Sequence, residues 1–354
     1  MILVVNTGSS SIKAAVFAAD LSEIATADVT GLGDSDDQAV LKQGGLKTII
    51  TAKDHAAGIA AILSALSAHR VKAVAHRVVH GGTALTAPVL LTPGAIATIE
   101  ANVPLAPLHN PPALAGIHAM AAARPDLPQY ASFDTAFHAT QPDVATAYAL
   151  PRAQRDAGIR RYGFHGLSYA SMVAHFGAGL PPRLLALHLG NGASLCAILD
   201  GKSVATSMGY SPLEGLTMGT RTGCIDGMAV LRLASELGIE DAGHLLNKRS
   251  GLLGLAGTND MRDLLATDTH DARFAVEHFC YWAARHAGSA IVALGGVDAI
   301  AFTGGIGENA PEIRDRITAQ LACFGKASVH VVPAAEERQI AKDALHIMGL
   351  TKDL

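Results

Sequence analysis

Val4-Val5-Asn6-Thr7-Gly8-Ser9-Ser10-Ser11-Ile12-Lys13 joins a β-branched run to a Gly/Ser turn and closes it with a lysine. The turn's N–H groups, its hydroxyls and one ammonium are the donors that phosphate oxygens require. Asn6, where the first run ends, suits a phosphate-bound Mg²⁺, held directly or through its waters. Four more segments concentrate polar side chains where packing alone would not ask for them. They are His76-Arg77-Val78-Val79-His80-Gly81-Gly82, Phe133-Asp134-Thr135-Ala136-Phe137-His138, Phe164-His165-Gly166 and Met218-Gly219-Thr220-Arg221-Thr222-Gly223. Each sets an Arg, Asp or His among glycines or aromatics, a composition that lets backbone approach a ligand closely and shields it from water.

The elements that must position these residues follow from hydrophobic patterning. The first segment reads as a β-hairpin continuing through Ala14 to Phe17. Ala186-Leu187-His188-Leu189-Gly190-Asn191-Gly192-Ala193-Ser194, running on to Leu199, echoes it, and Asp200-Gly201 signals a further hairpin turn. Two such hairpins far apart suggest two related domains. Between them, His55 to His69 reads as a helix leading into a strand at Ala73 to Val79, and the prolines at 104, 107, 111 and 112 suggest an irregular, rigid loop. Asp226 to Leu237 and Arg273 to Leu294 have helical spacing, and Ala299 to Phe302 reads as a short buried strand. A Gly-rich turn, Thr303 to Asn309, follows, then a helix with Pro311 in its first turn, and Pro333 to Leu350 reads as a final helix. Strands and helices mixed in this way define an α/β chain.

Composition narrows the function classes. At 354 residues there is room for two domains, each with a core. A net charge of −4 with no Lys/Arg run argues against nucleic-acid binding. Cys196, Cys224, Cys280 and Cys323 are scattered, which suggests neither a disulfide framework nor a zinc site and fits a reducing compartment. Met1-Ile2-Leu3 starts directly as a strand and no apolar run approaches membrane-spanning length, so the expectation is a cytoplasmic protein without a membrane partner.

Three motifs are set aside. Gly201-Lys202-Ser203 resembles the end of a P-loop, yet residue 196 is Cys where that motif needs Gly, and a strand follows where it needs a helix. Gly305-x-Gly307-x-x-Ala310 fits a dinucleotide fingerprint but lacks a surrounding βαβ unit, so a Gly turn against adenosine is the better reading. His76 and His80 share a strand face without a third ligand and read as structural. There is no G-x-S-x-G elbow to suggest a serine hydrolase.

Taken together, the chain resembles the acetate kinase family of the acetate/sugar kinase–Hsp70–actin superfamily. The resemblance rests on V-V-N-T-G-S-S-S-I-K at 4–13, H-R-V-V-H-G-G at 76–82, P-L-H-N-P-P at 107–112 and F-D-T-A-F-H at 133–138. It continues with Y-G-F-H-G at 162–166, H-L-G-N-G at 188–192, S-P-L-E-G-L-T-M-G-T-R at 211–221 and F-T-G-G-I-G-E-N at 302–309, in family order over nearly the whole chain. It implies an α/β, two-domain actin-like ATPase fold built from duplicated ribonuclease H-like βββαβαβα domains, with the active site in a cleft between them. Residues 1–138 plus 338–354 would form the acyl-substrate and Mg-phosphate domain, and 139–337 the nucleotide-binding domain.

The implied reaction is reversible Mg-ATP-dependent phosphorylation of acetate to acetyl phosphate, in a homodimer. A carboxylate is already ionised at pH 7, so the obstacle is anion meeting anion, which calls for cations around the phosphoryl group in flight. By resemblance Arg77 holds the carboxylate, Arg221 and His165 stabilise the phosphoryl group, and Asp134 orients Arg77 or the substrate. Val79, Leu108, Phe164 and Pro212 match the family's small methyl pocket. Asn6 and Glu336 would serve Mg²⁺ (or Mn²⁺), and Lys13 would touch phosphate. His188, Leu189, Gly190, Asn191 and Gly192, with Asp260, Met261, Arg262, Gly305, Ile306, Gly307, Glu308 and Asn309, would line the ATP/ADP site. Relatives read T-N-E-E where this chain has Ala334-Ala335-Glu336-Glu337, so Glu337 competes for the metal role. The chain is also shorter than typical members ahead of Arg77. Rival readings are a propionate or other short-chain carboxylate kinase, a sugar or glycerol kinase, and an actin- or Hsp70-like nucleotide switch.

Overall fold

The computed structural model describes residues 1–33 and 37–350. They fall into two compact units, Met1–Phe137 with Ala335–Leu354, and His138–Ala334. Glu336 and Glu337 thereby belong to the first unit.

In the first unit, β1 (Ile2–Thr7), β2 (Ser11–Phe17), β3 (Glu23–Thr30), β4 (Gln38–Gln43) and β5 (Leu46–Thr51) form an antiparallel meander. Next come α1 (His55–Ala65), β6 (Ala73–Val78), β7 (Val89–Leu90), α2 (Pro93–Ala101), α3 (Asn110–Ala123) and β8 (Gln129–Phe133). The sheet order is β5-β4-β3-β2-β1-β6-β8-β7, with β1, β6 and β8 mutually parallel. Central strands covered on both faces lose the polar alternation of a half-exposed strand. Accordingly Ile2, Leu3, Val4 and Val5 are all buried. Leu3, Val5, Ile12, Val16, Ile59, Ile62 and Met120 share one core. The helix Glu336–Ile347 buries Ile340, Ala341, Ala344 and Leu345 and contacts β1, β6 and β8.

The second unit holds the short helices α4 (Asp143–Thr146) and α5 (Arg152–Asp156), then α6 (Gly166–Phe176), β9 (Arg183–Leu189), β10 (Ala193–Leu199) and β11 (Lys202–Thr206). It continues through α7 (Gly227–Leu237), α8 (Ile239–Lys248), α9 (Gly251–Ala256), α10 (Met261–Ala266), the long α11 (His270–Leu294), β12 (Ala299–Thr303), α12 (Gly304–Asn309), α13 (Pro311–Gln320) and β13 (Ser328–Val331). Its sheet order is β11-β10-β9-β12-β13, antiparallel on the β11 side and parallel on the β13 side. The run β3-β2-β1-β6-β8 of the first unit has the same order and directions. The weak hairpin echo in sequence is therefore a repeated sheet topology, the duplicated two-domain actin-like ATPase architecture.

Both expected hairpins form, with Asn6 opposite Lys13 and Leu189 opposite Ala193. Asp200 and Gly201 take left-handed conformations, as a tight hairpin turn requires. Cys196 lies inside β10 and a strand follows, so no P-loop exists there. Two expectations need correction. The proline-rich stretch is not irregular throughout, because Val103–Leu105 is a 3₁₀ turn and Pro111 and Pro112 sit in the first turn of α3. Proline is tolerated there, since a first-turn N–H has no intrahelical acceptor to lose. Residues 304–309 form a short helix and not a turn, entered through Gly304 at φ +81°.

Asn110, at the start of α3, is fully buried and clamps the chain just beyond β6. Its Oδ1 accepts from His80 N–H (3.1 Å) and its Nδ2 donates to His80 C=O (3.0 Å). Removing it takes away two buried hydrogen bonds at once, so Asn110→Ala should destabilise the protein by about 2–4 kcal/mol. Urea unfolding would check this, and a loss below about 1 kcal/mol would deny the clamp.

Candidate active site

In the first unit, Arg77 is the second-last residue of β6, and Asp134 follows β8 directly, its N–H held by Val78 C=O. The two strands are parallel neighbours, so both side chains leave the same sheet edge. Arg77 grips Asp134 through Nε (3.2 Å) and Nη2 (2.7 Å), while Nη1 reaches Glu336 Oε2 at 3.3 Å. Burial alone would lower the Arg77 pKa, but the carboxylates of Asp134 and Glu336 outweigh it and raise the value, so the guanidinium stays charged. Burial raises the Asp134 pKa, and Arg77 opposes the rise. Val79 follows β6 and is half-buried, whereas Leu108 is 54% exposed. Asn6 is half-buried and its cross-strand partner Lys13 is exposed. In the Gly/Ser turn the Gly8 N–H is spent on Ser11 C=O, so fewer turn donors face outward than the sequence suggests.

In the second unit, His165 caps α6 in the left-handed conformation, φ +59°. Its ring stacks on His188 with centroids 4.3 Å apart. A Cβ built on Gly192 would lie 3.2 Å from His165 Nε2 and 3.7 Å from Arg221 Nη1, so glycine leaves space between an imidazole and a guanidinium. Arg221 is half-buried and its Nη1 bonds Pro212 C=O (3.2 Å) and Met218 Sδ (3.7 Å). Among the described residues no carboxylate pairs with it. Burial accordingly lowers its pKa. An unpaired, partly desolvated guanidinium is an anion site. Phe164 is buried, and its carbonyl accepts from His138 Nε2 (2.9 Å).

Gly190, Asn191, Asp260, Met261, Arg262, Gly305, Ile306 and Asn309 line one cavity of about 660 Å³, together with Asn259, Leu265 and Ala310. Polar rims with Met, Leu, Ile and Ala walls suit a flat heteroaromatic ring bearing polar edges. Asn191 joins this cavity to the Arg221 loop. Its carbonyl accepts from Gly219 N–H (2.9 Å), and its Oδ1 accepts from Asn259 Nδ2 (3.0 Å). A Cβ at Gly219 would sit 2.1 Å from Asn191 Oδ1, which explains the glycine. Arg262 pairs with Asp260, and those hydrogen bonds bring the Asp260 carboxyl down to about 2.

Other expected nucleotide residues do different work. Leu189 and Gly307 are buried, and Glu308 spends Oε1 on the N–H groups of Gly304 (3.1 Å) and Ala334 (3.0 Å). His188 bonds Ser168 through Nδ1 (2.8 Å). Sequence reasoning passed over Glu214, which receives Tyr148 O–H and pairs with Arg161 at 3.1 Å. That network fastens the segment carrying Pro212 to the segment ahead of His165. Glu214 sat inside a quoted motif, but its neighbours in space are far away in sequence.

Residues 1–344 match the acetokinase family. An acetate kinase from Rhodopseudomonas palustris is 43% identical over 346 residues, spanning 92% of this chain and 87% of the relative. One from Micrococcus luteus is 44% identical over 344 residues, with 92% and 86% covered. The crystal structure of Porphyromonas gingivalis acetate kinase superposes with TM-score 0.90 at 34% identity, covering 98% of this chain and 99% of that one. A propionate kinase from Francisella tularensis superposes with TM-score 0.90 at 35% identity, with 97% and 98% covered.

His138 generates a pH prediction. Burial pushes its pKa down to about 4, because the charged ring is costly to desolvate, and the bond from Nε2 to Phe164 C=O only partly opposes the shift; Nδ1 lies 2.9 Å from Ser203 Oγ. Above about pH 6.5 the ring is neutral whether folded or unfolded, so it adds no pH dependence. Between about 6.5 and 4 only the unfolded chain takes up the proton, and stability falls as pH falls. His138→Asn should reduce that slope by about 1.4 kcal/mol per pH unit, read from chemical unfolding at pH 5 to 7. An unchanged slope would exclude His138 as a source.

Proposed function

We propose that this chain, which belongs to the acetokinase family, is an acetate kinase that transfers the γ-phosphoryl group of ATP to acetate and runs reversibly. The observation that carries the chemistry is Arg221, a partly buried cation with no carboxylate partner among the described residues, beside His165 Nε2 at a position opened by Gly192. In this reading the second unit binds the nucleotide in the cavity around Gly190, Asp260 and Gly305. Its Arg221 and His165 stabilise charge on the phosphoryl group, which is where catalysis of this reaction has to act.

The first unit recognises the acyl substrate. Arg77 spends Nε–H and one Nη2–H on Asp134 and pairs electrostatically with Glu336 through Nη1, which leaves N–H donors on both Nη atoms for the acetate oxygens. Asp134 is thus a positioning group for Arg77. No general base is assigned, because acetate is ionised already. Val79 would border the methyl group, and Lys13 would approach phosphate.

Asn6 and Glu336 fit a magnesium ion that takes most of its ligands from water and phosphate. Among the described residues no group of three or more His, Cys, Asp or Glu could hold a metal by itself. One guanidinium against two carboxylates leaves the Arg77 cluster one charge negative, which a divalent cation would reverse. When bound, the ion would offset the negative charge of the phosphates. Glu336 touches Arg77 while Glu337 acts on it at longer range, which favours Glu336 as the ligand. The same reading takes the enzyme to be a cytoplasmic homodimer without nucleic-acid or membrane partners. No helix of the described residues is long and apolar enough to cross a membrane.

Trapping acyl phosphate as hydroxamate, with acetate, propionate, butyrate and glycerol offered in parallel, tests the assignment. Acetate should turn over fastest and propionate measurably, since one methylene separates substrates by only about 1–3 kcal/mol. Faster turnover of glycerol would replace this reading with a hydroxyl-directed kinase. Arg221→Ala should lower kcat by about 10²–10³ with little change in KM for ATP; a pure KM effect would reassign it to ground-state binding. Glu336→Gln should raise the Mg²⁺ concentration for half-maximal rate about tenfold, and Glu337→Gln much less. The reverse order would give the metal to Glu337.

A further inference from the structure

Three buried polar groups around His165 have no part in the chemistry so far. Ser194 begins β10 beside Ala193, is fully buried and lies opposite His188 in the β9–β10 pairing. Its Oγ is 2.8 Å from His165 Nδ1 and 2.5 Å from the phenol oxygen of Tyr169, itself fully buried on α6. Ser168, the preceding residue of α6, holds Nδ1 of the stacked His188 at 2.8 Å. One turn of helix therefore governs both imidazoles.

We propose that Tyr169 and Ser194 form a directed hydrogen-bond relay that keeps His165 in the Nε2–H tautomer, so that the ring meets the phosphoryl group as a neutral donor. The role at the phosphoryl group rests on the acetate kinase reading. The direction follows from counting donors. A phenol is the stronger donor of the two hydroxyls, so over the short contact Tyr169 O–H donates to Ser194 Oγ. The serine has one proton, and among the described residues its Oγ bonds only Tyr169 and His165. With the tyrosine already donating, that proton goes to His165 Nδ1, or a buried donor is left unsatisfied. Nδ1 is then an acceptor, and the ring's own proton resides on Nε2. Nε2 is the atom that faces the space beside Gly192, next to Arg221 Nη1. The left-handed backbone at His165 aims the ring this way, a conformation a non-glycine residue adopts at a cost. Tyr169 and Ser194 are positioning residues, since they act only through His165.

Long-range ¹H–¹⁵N spectra of the ¹⁵N-histidine-labelled full chain at pH 7.5 test the relay, with His165→Gln identifying the ring's resonances. Nδ1 should appear unprotonated and hydrogen-bonded, and Nε2 protonated. Ser194→Ala and Tyr169→Phe should each convert this to a mixture of tautomers and lower kcat about tenfold, leaving KM for acetate and ATP within about twofold. A protonated Nδ1 in the wild type would overturn the relay. So would a variant with the wild-type tautomer and a lowered kcat, which would make the residue merely structural. Should either variant fail to fold, the wild-type spectrum still decides. Absence of acetyl phosphate formation would sink the functional reading while the spectrum still reports the tautomer.

Discussion

Arg221 carries a charge that burial opposes and that no carboxylate offsets among the described residues. A chain keeps such a group only when the backbone around it is over-determined, and here it is. Leu252 N–H binds Met218 C=O, Leu253 N–H binds Gly219 C=O, and Ser250 N–H binds Thr220 C=O. Gly251 stands at φ +65°, where a Cβ would lie 2.1 Å from Met218 O. The start of α9, the Asn191 turn and the Pro212 carbonyl thus hold one loop from three directions.

Arg77 is built on the opposite principle. It is held by two carboxylates in place, one bidentate, so its orientation is settled before any substrate arrives. A pre-paired arginine suits recognition of a small carboxylate, which needs geometry more than net charge. An unpaired one suits charge that accumulates during transfer. In the proposed reading the division of labour follows from which residues stand next to each guanidinium.

Much of this was legible in the chain itself. Two hairpins with Gly-rich turns foretold the repeated sheet, because hairpin pairing is local and turn chemistry is written in consecutive residues. Arg77, Asp134, His165 and Arg221 stood out because Arg, Asp and His among glycines are hard to explain by packing. The helices at 111–112 and 304–309 were misread for a local reason: proline and glycine each serve both turns and helix starts, and only the neighbouring acceptors decide. Glu214, Asn110, Ser194 and Tyr169 gave no local signal, since each works through a residue between 25 and 66 positions away.

What the amino-acid order alone determined was the class of fold, the family and the identity of the charged groups, since these depend on composition and on patterns spanning a few residues. What only the folded state decided was how each charge is compensated. Whether an arginine is paired, whether Glu308 faces a ligand or two backbone N–H groups, and which nitrogen of His165 accepts a proton all depend on desolvation and contact. Those quantities exist only once distant segments share a dry interior.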